Sequence, residues 1–248
     1  MSAMAIVFSA AAAGAGTLAL PVAGRRLGQV RLARLCARRR TIVLTYDDGP
    51  GAEATPRVLD LLGELGARAT FFALGEKADR HPLILDRTVR EGHEVGCHSY
   101  RHVHAWKSAP WESTRDVARG LRALAPWRRG AGLFRPPHGK LTPWTWFAAR
   151  SAGARFGWWT LDSGDTWETV PKPSSVIDDA RRRGGAVVLM HDFDRDPARS
   201  RYVLDVTLGL VRSAQEDGLR IVPLGELLAE SADEDVRDAA ETKEISPC

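Results

Sequence analysis

Short apolar runs alternate with stretches of helical spacing from residue 41 to residue 230, and that alternation leaves few folds open. Residues 42–44, 69–73, 93–97, 133–135, 155–161, 186–190 and 219–222 read as strands. Between them, apolar side chains recur three and four apart, as Val58, Leu59, Leu61, Leu62 and Leu65 do in segment 54–65. Comparable spacing predicts helices at 80–91, 112–124, 143–151, 175–183, 202–216 and 224–230. Strands separated by helices pair in parallel, and about seven of them suit closure better than an open sheet. The expected class is therefore α/β, a (β/α) barrel over residues 41–230, without repeats or an interdomain linker.

The two ends differ from this body. Residues 1–40 carry seven arginines and no acid, whereas residues 230–248 carry seven acids against Arg237 and Lys243. The chain's net charge of +4 thus leaves only about +2 for the middle, which excludes nucleic acid as a partner on charge grounds. Residues 4–23 are uncharged, and about 20 residues can cross a bilayer. The arginines follow this span, so an anchor would leave the body on the cytoplasmic side, with Arg25, Arg26 and Arg31 available to anionic lipid. A secretory signal cut near Ala13-Gly14-Ala15 is the alternative and would make the protein secreted or surface-bound, although a positive leading region is missing. Residues 231–248 read as a solvated, disordered tail. Cys36, Cys97 and Cys248 are too few and too scattered for a disulfide framework.

Polar residues gather just after the strands. Asp47-Asp48 follows the first strand and is turned by Gly49-Pro50-Gly51; two adjacent carboxylates repel unless a cation, a basic group or a proton relieves them. The same triplet Asp-Asp-Gly is also ordinary turn chemistry. His98 and His102 lie four apart, and on one turn of helix both imidazoles would face one ion, with Asp48 as the third ligand. Such an open site lowers the pKa of bound water, and Asp47 is then the base, paired with Arg135. His191, at another strand tip, is the candidate proton donor, with Asp162 stabilising its charged form. Zinc is the expected ion, and cobalt or iron suits the same donors. In a parallel barrel all these tips open on one face.

With those segments in view, the chain resembles the polysaccharide deacetylases, the family 4 carbohydrate esterases. Thr45-Tyr46-Asp47-Asp48-Gly49-Pro50, His98-Ser99-Tyr100-Arg101-His102, Arg135-Pro136-Pro137-His138-Gly139, Asp162-Ser163-Gly164-Asp165-Thr166-Trp167 and Leu189-Met190-His191-Asp192 match its five motifs in order. The resemblance implies a distorted barrel and metal-dependent removal of N-acetyl groups from amino sugars in a polysaccharide, oligosaccharide or lipid-linked saccharide. It implies Asp47 as base, Asp48, His98 and His102 as metal ligands, Arg135 orienting the base, and Asp162 tuning the acid His191. It also puts Pro137, His138, Trp167 and Leu189 at the substrate, His138 through its backbone N–H. Two departures stand out: His138 replaces the family's usual tyrosine, and Thr166 lengthens the fourth motif, leaving Trp159 and Trp167 both as candidates for the acetyl pocket. Related barrels that remove formyl groups or open cyclic amides, and a non-catalytic carbohydrate-binding barrel, are the alternatives.

Overall fold

The computed structural model describes residues 22–128 and 132–232. After α1 (residues 22–39) come β1 (Thr41–Asp47), α2 (Ala54–Glu64), β2 (Thr70–Ala73), α3 (Gly75–Arg80), α4 (Pro82–Arg90), β3 (Glu94–Cys97) and α5 (Pro110–Ala123). The chain continues through β4 (Leu133–Phe134), a 3-10 turn (Pro137–Gly139), α6 (Pro143–Ser151), β5 (Arg155–Phe156), β6 (Leu161–Asp162), α7 (Pro173–Arg182) and β7 (Ala186–His191). It ends with α8 (Pro197–Asp217), β8 (Arg220–Ile221) and α9 (residues 224–232). The strands run β5-β4-β3-β2-β1-β7-β6, with β8 beside the start of β1, and all their pairings are parallel. This is a distorted (β/α) barrel.

β1 is buried along its whole length and alternates between two cores. Ile42, Leu44 and Tyr46 face the helices, packing with Val58 and Leu59 of α2 and Val206 and Leu210 of α8. Val43 faces the barrel interior with Phe72, Phe134 and Val187. Thr45 and Asp47 continue that inward column, so the interior turns from apolar to polar toward the strand's C-terminal end. β7 pairs with β1 from Ile42 to Asp47, which sets His191 opposite Asp47.

Two expected elements divide. The strand read over 155–161 breaks into β5 and β6, because a Cβ at Gly157 would strike the Phe72 ring and Arg135 takes the carbonyls of Gly157 and Trp158. The helix read over 80–91 breaks at His81, since Pro82 has no N–H to continue it.

Among the described residues no pairing joins β5 to β6, and α1 lies against the 157–160 connection that spans this seam. Gln29 Nε2 donates to the Trp159 carbonyl at 2.9 Å, and Leu32, Leu35 and Cys36 enter the interior cluster beside Trp158 and Leu224. Arg26, Arg31, Arg34 and Arg38 of α1 thus stay exposed, while its Leu32, Leu35 and Cys36 side packs into the barrel. Arg25 instead turns inward, with its guanidinium carbon 4.7 Å from the Trp159 ring centre, because that ring and the Gly139 carbonyl give it partners that lipid was expected to provide. Most of the uncharged span 4–23 and most of the acidic tail 231–248 lie outside the described residues. Among described residues, no helix is long and apolar enough to cross a membrane.

Candidate active site

Arg135 follows β4 and is wholly buried. Its Nη1 donates to Asp47 Oδ1 at 2.6 Å and to Thr45 Oγ1 at 2.8 Å, and its Nε donates to the Gly157 carbonyl at 2.9 Å. Phe72 lies under the guanidinium, 4.0 Å from ring centre to carbon. The Asp47 carboxylate is therefore aimed by a cation that cannot swing away. Burial pushes its pKa up to about 6, against the opposing pull of Arg135 and His191.

Asp48 has φ 68, a left-handed conformation that sends its side chain away from the direction set by β1. Lys77 Nζ holds its carbonyl at 2.7 Å. Asp48 Oδ1 lies 3.5 Å from His98 Nε2 and 3.4 Å from His102 Nε2, and the donor atoms of all three fall within 4.8 Å of one another. His98 Nδ1 meets the Arg135 carbonyl at 2.7 Å, and a carbonyl can only accept, so Nδ1 carries the proton and Nε2 presents a lone pair. Burial also pushes the His98 pKa down to about 3. Asp48 Oδ1 is buried and has no hydrogen-bond partner. An orphaned carboxylate oxygen facing a neutral imidazole nitrogen is relieved by a cation, so these residues fit a metal.

The segment carrying the two histidines is not helical, contrary to the expected turn of helix after β3. Ser99 and His102 have φ 72 and 64, and the carboxylate of Asp116 on α5 accepts from Arg101 N at 2.8 Å and Val103 N at 3.2 Å. Gly120, also on α5, has no side chain to strike Ser99, so the loop lies directly on the helix. The imidazoles still converge, because two left-handed residues fold the loop back.

The carboxylate behind His191 is Asp165, not Asp162. His191 Nδ1 meets Asp165 Oδ1 at 3.0 Å, and His191 N–H donates to Asp165 Oδ2 at 3.1 Å. Asp162 instead accepts from Gly164 N at 2.8 Å, closing a local turn. Gly164, with φ 72, reverses the chain and puts the second carboxylate of the motif under the imidazole. Arg195 ion-pairs with Asp165, and Ser163 Oγ donates to it at 3.0 Å. Burial lowers the His191 pKa, but the Asp165 bond and the charges of Asp165, Asp47 and Asp48 outweigh it and raise the value to about 9. The repeated carboxylate in Asp162–Asp165 was the available signal for this role; Arg195 and Lys77 had none.

Pro137 is buried in the 3-10 turn, whereas His138 is exposed, with φ 54 and its ring 4.4 Å from His102 and 4.6 Å from His104 between centres. Leu189 is buried two residues before His191, on the same face of β7. Trp159 lies 5.6 Å from the Arg135 guanidinium carbon, while Trp167 is 52% exposed on the loop after β6.

The polysaccharide deacetylase family model matches residues 34–157. The chain is 31% identical over 191 residues to a peptidoglycan-N-acetylglucosamine deacetylase from Bacillus cereus, covering 76% of this chain and 88% of that protein. A chitooligosaccharide deacetylase from Bradyrhizobium is 32% identical over 202 residues, covering 76% and 90% respectively. Among solved structures, a family 4 carbohydrate esterase from Streptomyces lividans in complex with acetate superposes with TM-score 0.63 and 28% identity over 73% of this chain and 91% of that one.

Proposed function

The chain belongs to the polysaccharide deacetylase family, and from that premise we propose that it uses zinc to remove N-acetyl groups from N-acetylglucosamine units of a cell-wall or chitin-like glycan. Metal-dependent hydrolysis of a non-peptide amide comes with the family; the ion, the sugar and the residue roles are our reading. The observation that carries it is the orphaned Asp48 oxygen facing His98 and His102, one residue from an Arg135-anchored carboxylate.

Asp48, His98 and His102 would hold the ion. When bound, it supplies Lewis acidity toward a water and an acyl oxygen. Asp47 takes a proton from the attacking water; Arg135 keeps this carboxylate oriented, and a pKa near 6 leaves it ionised at neutral pH yet basic enough to accept. Its neighbour across the ladder, His191, is protonated below pH 9 because Asp165 holds the charged form, and it gives that proton to the departing amine. The His138 N–H supports the oxyanion, and Pro137, Leu189 and an indole from Trp159 or Trp167 border the acetyl group. Arg135, Asp165 and Arg195 act through the two proton carriers.

A panel of N-acetylglucosamine oligomers, peptidoglycan, N-formyl sugars and cyclic amides, scored by acid release with and without added zinc, tests this reading. Acetate from the first two substrates, dependent on zinc, is expected. Release confined to formate or ring-opened product, or binding without turnover, would refute it. The uncharged residues 4–23 and the arginines after them support attachment of the enzyme to a membrane. Recovery of the full chain in the soluble fraction of lysed cells would refute that part.

A further inference from the structure

Arg25 lies outside the residues 34–157 that match the family model, yet it ends at the third-motif turn. Its Nη1 donates to the Gly139 carbonyl at 3.0 Å, and its guanidinium carbon stands 4.7 Å from the Trp159 ring centre and 5.9 Å from that of Trp158. A Cβ on Gly139 would lie 2.5 Å from Arg25 Nη1 and 2.7 Å from Trp159, so the missing side chain at Gly139 makes room for both groups. Arg135, which holds Asp47, also stands near Trp159, 5.6 Å from the ring centre. One indole therefore lies within about 6 Å of two guanidinium groups.

The placement is costly for Arg25. Its Nε is buried without a partner, and among the described residues no carboxylate offsets its charge; burial alone acts on it, lowering its pKa. Even half-burying a cation without a counter-ion is unfavourable for stability. What it does instead is fix a turn in which His138 and Gly139 are both left-handed, φ 54 and 63. That turn is otherwise closed by two backbone bonds, Gly139 N to Pro136 O at 2.8 Å and Lys140 N to Pro137 O at 3.0 Å.

We propose that Arg25 is a positioning residue for the deacetylation: by holding the Gly139 carbonyl and the Trp159 ring it sets the His138 N–H and the acetyl pocket, which makes α1 part of the catalytic unit. The inference rests on the reading above. A lost or misaimed oxyanion donor raises the barrier without weakening ground-state binding, so the effect belongs in kcat.

The test compares the zinc-loaded full chain with its Arg25→Met and Arg25→Lys variants on one N-acetylglucosamine oligomer. Methionine keeps a stem that packs on Trp159 and loses the donor; lysine keeps a charged donor. Expected for Arg25→Met is a metal content like that of the wild type, KM within about twofold, and kcat down by about 10- to 100-fold, the scale on which misplacement of a reacting group acts. Arg25→Lys should recover part of that loss. Full kcat in Arg25→Met, or a loss that falls in KM alone, would overturn the proposal. If Arg25→Met does not fold, Arg25→Leu, which also lacks the donor, is read in its place, and full kcat there overturns the proposal as well. Absence of acetate release from the wild type would overturn both this proposal and the deacetylase reading, whereas an active wild type with a fully active Arg25→Met removes only the former.

Discussion

His191 carries the most telling electrostatics in the molecule. It is mostly shielded from water, which alone would favour the neutral ring, but Asp165 accepts from both its Nδ1 and its backbone N–H, and the ring's pKa rises to about 9. A proton donor of this kind is active while protonated, so kcat/KM should fall as pH rises through about 9. Removing the charge in Asp165→Asn leaves desolvation unopposed by its main partner, so the pKa of His191 drops and the alkaline limb moves to lower pH. Asp162→Asn, whose carboxylate closes the Gly164 turn and reaches His191 only through space, should move the limb less than Asp165→Asn does. A pH profile of the three proteins checks this; an alkaline limb that moves with Asp162 and not with Asp165 would reverse the assignment.

At the scale of elements, the loop from His98 to His102 shows how the metal-binding geometry is made. It depends on Gly120 of α5, where a methyl group would run into the Ser99 backbone. Gly120→Ala should therefore push the loop outward, destabilise the fold by about 1–3 kcal/mol, the usual cost of overpacking, and weaken zinc binding. Thermal melting and metal titration measure the two effects; an unchanged zinc affinity would show that the loop holds its ligands without the helix. The loop also marks where the sequence stops being readable. The β and α elements around it were legible from periodicity, and Asp47, Asp48, His98, His102, Arg135 and His191 stood out as polar residues after apolar runs. Ser99 and His102 at positive φ left no signature, since neither is glycine. The partner of His191 was misplaced by three residues, because the turn made by Gly164 decides which carboxylate reaches the ring. Arg25 was read as a lipid-facing arginine, since composition alone does not say which arginines of a run face inward.

For the whole molecule, the sheet's path ends at β5 and β6, and α1 covers the gap with Leu32, Leu35 and Cys36. The five motif segments come from strand ends on both sides of β1, so the site exists only when the barrel is assembled. A ligand bound by the folded state alone stabilises it by RT ln(1 + [L]/Kd), about 2.7 kcal/mol at 100 times Kd. Removing the bound ion, zinc on the reading proposed above, with a chelator should accordingly lower Tm in the wild type, and the drop should vanish in His98→Ala. An equal drop in both would mean that the ion sits elsewhere. The most direct test of the account takes one preparation each of the wild type and Asp47→Asn and measures bound zinc and acetate release side by side. The account predicts about one zinc per chain in both proteins and turnover only in the wild type. Equal turnover in Asp47→Asn, with zinc still bound, would contradict it.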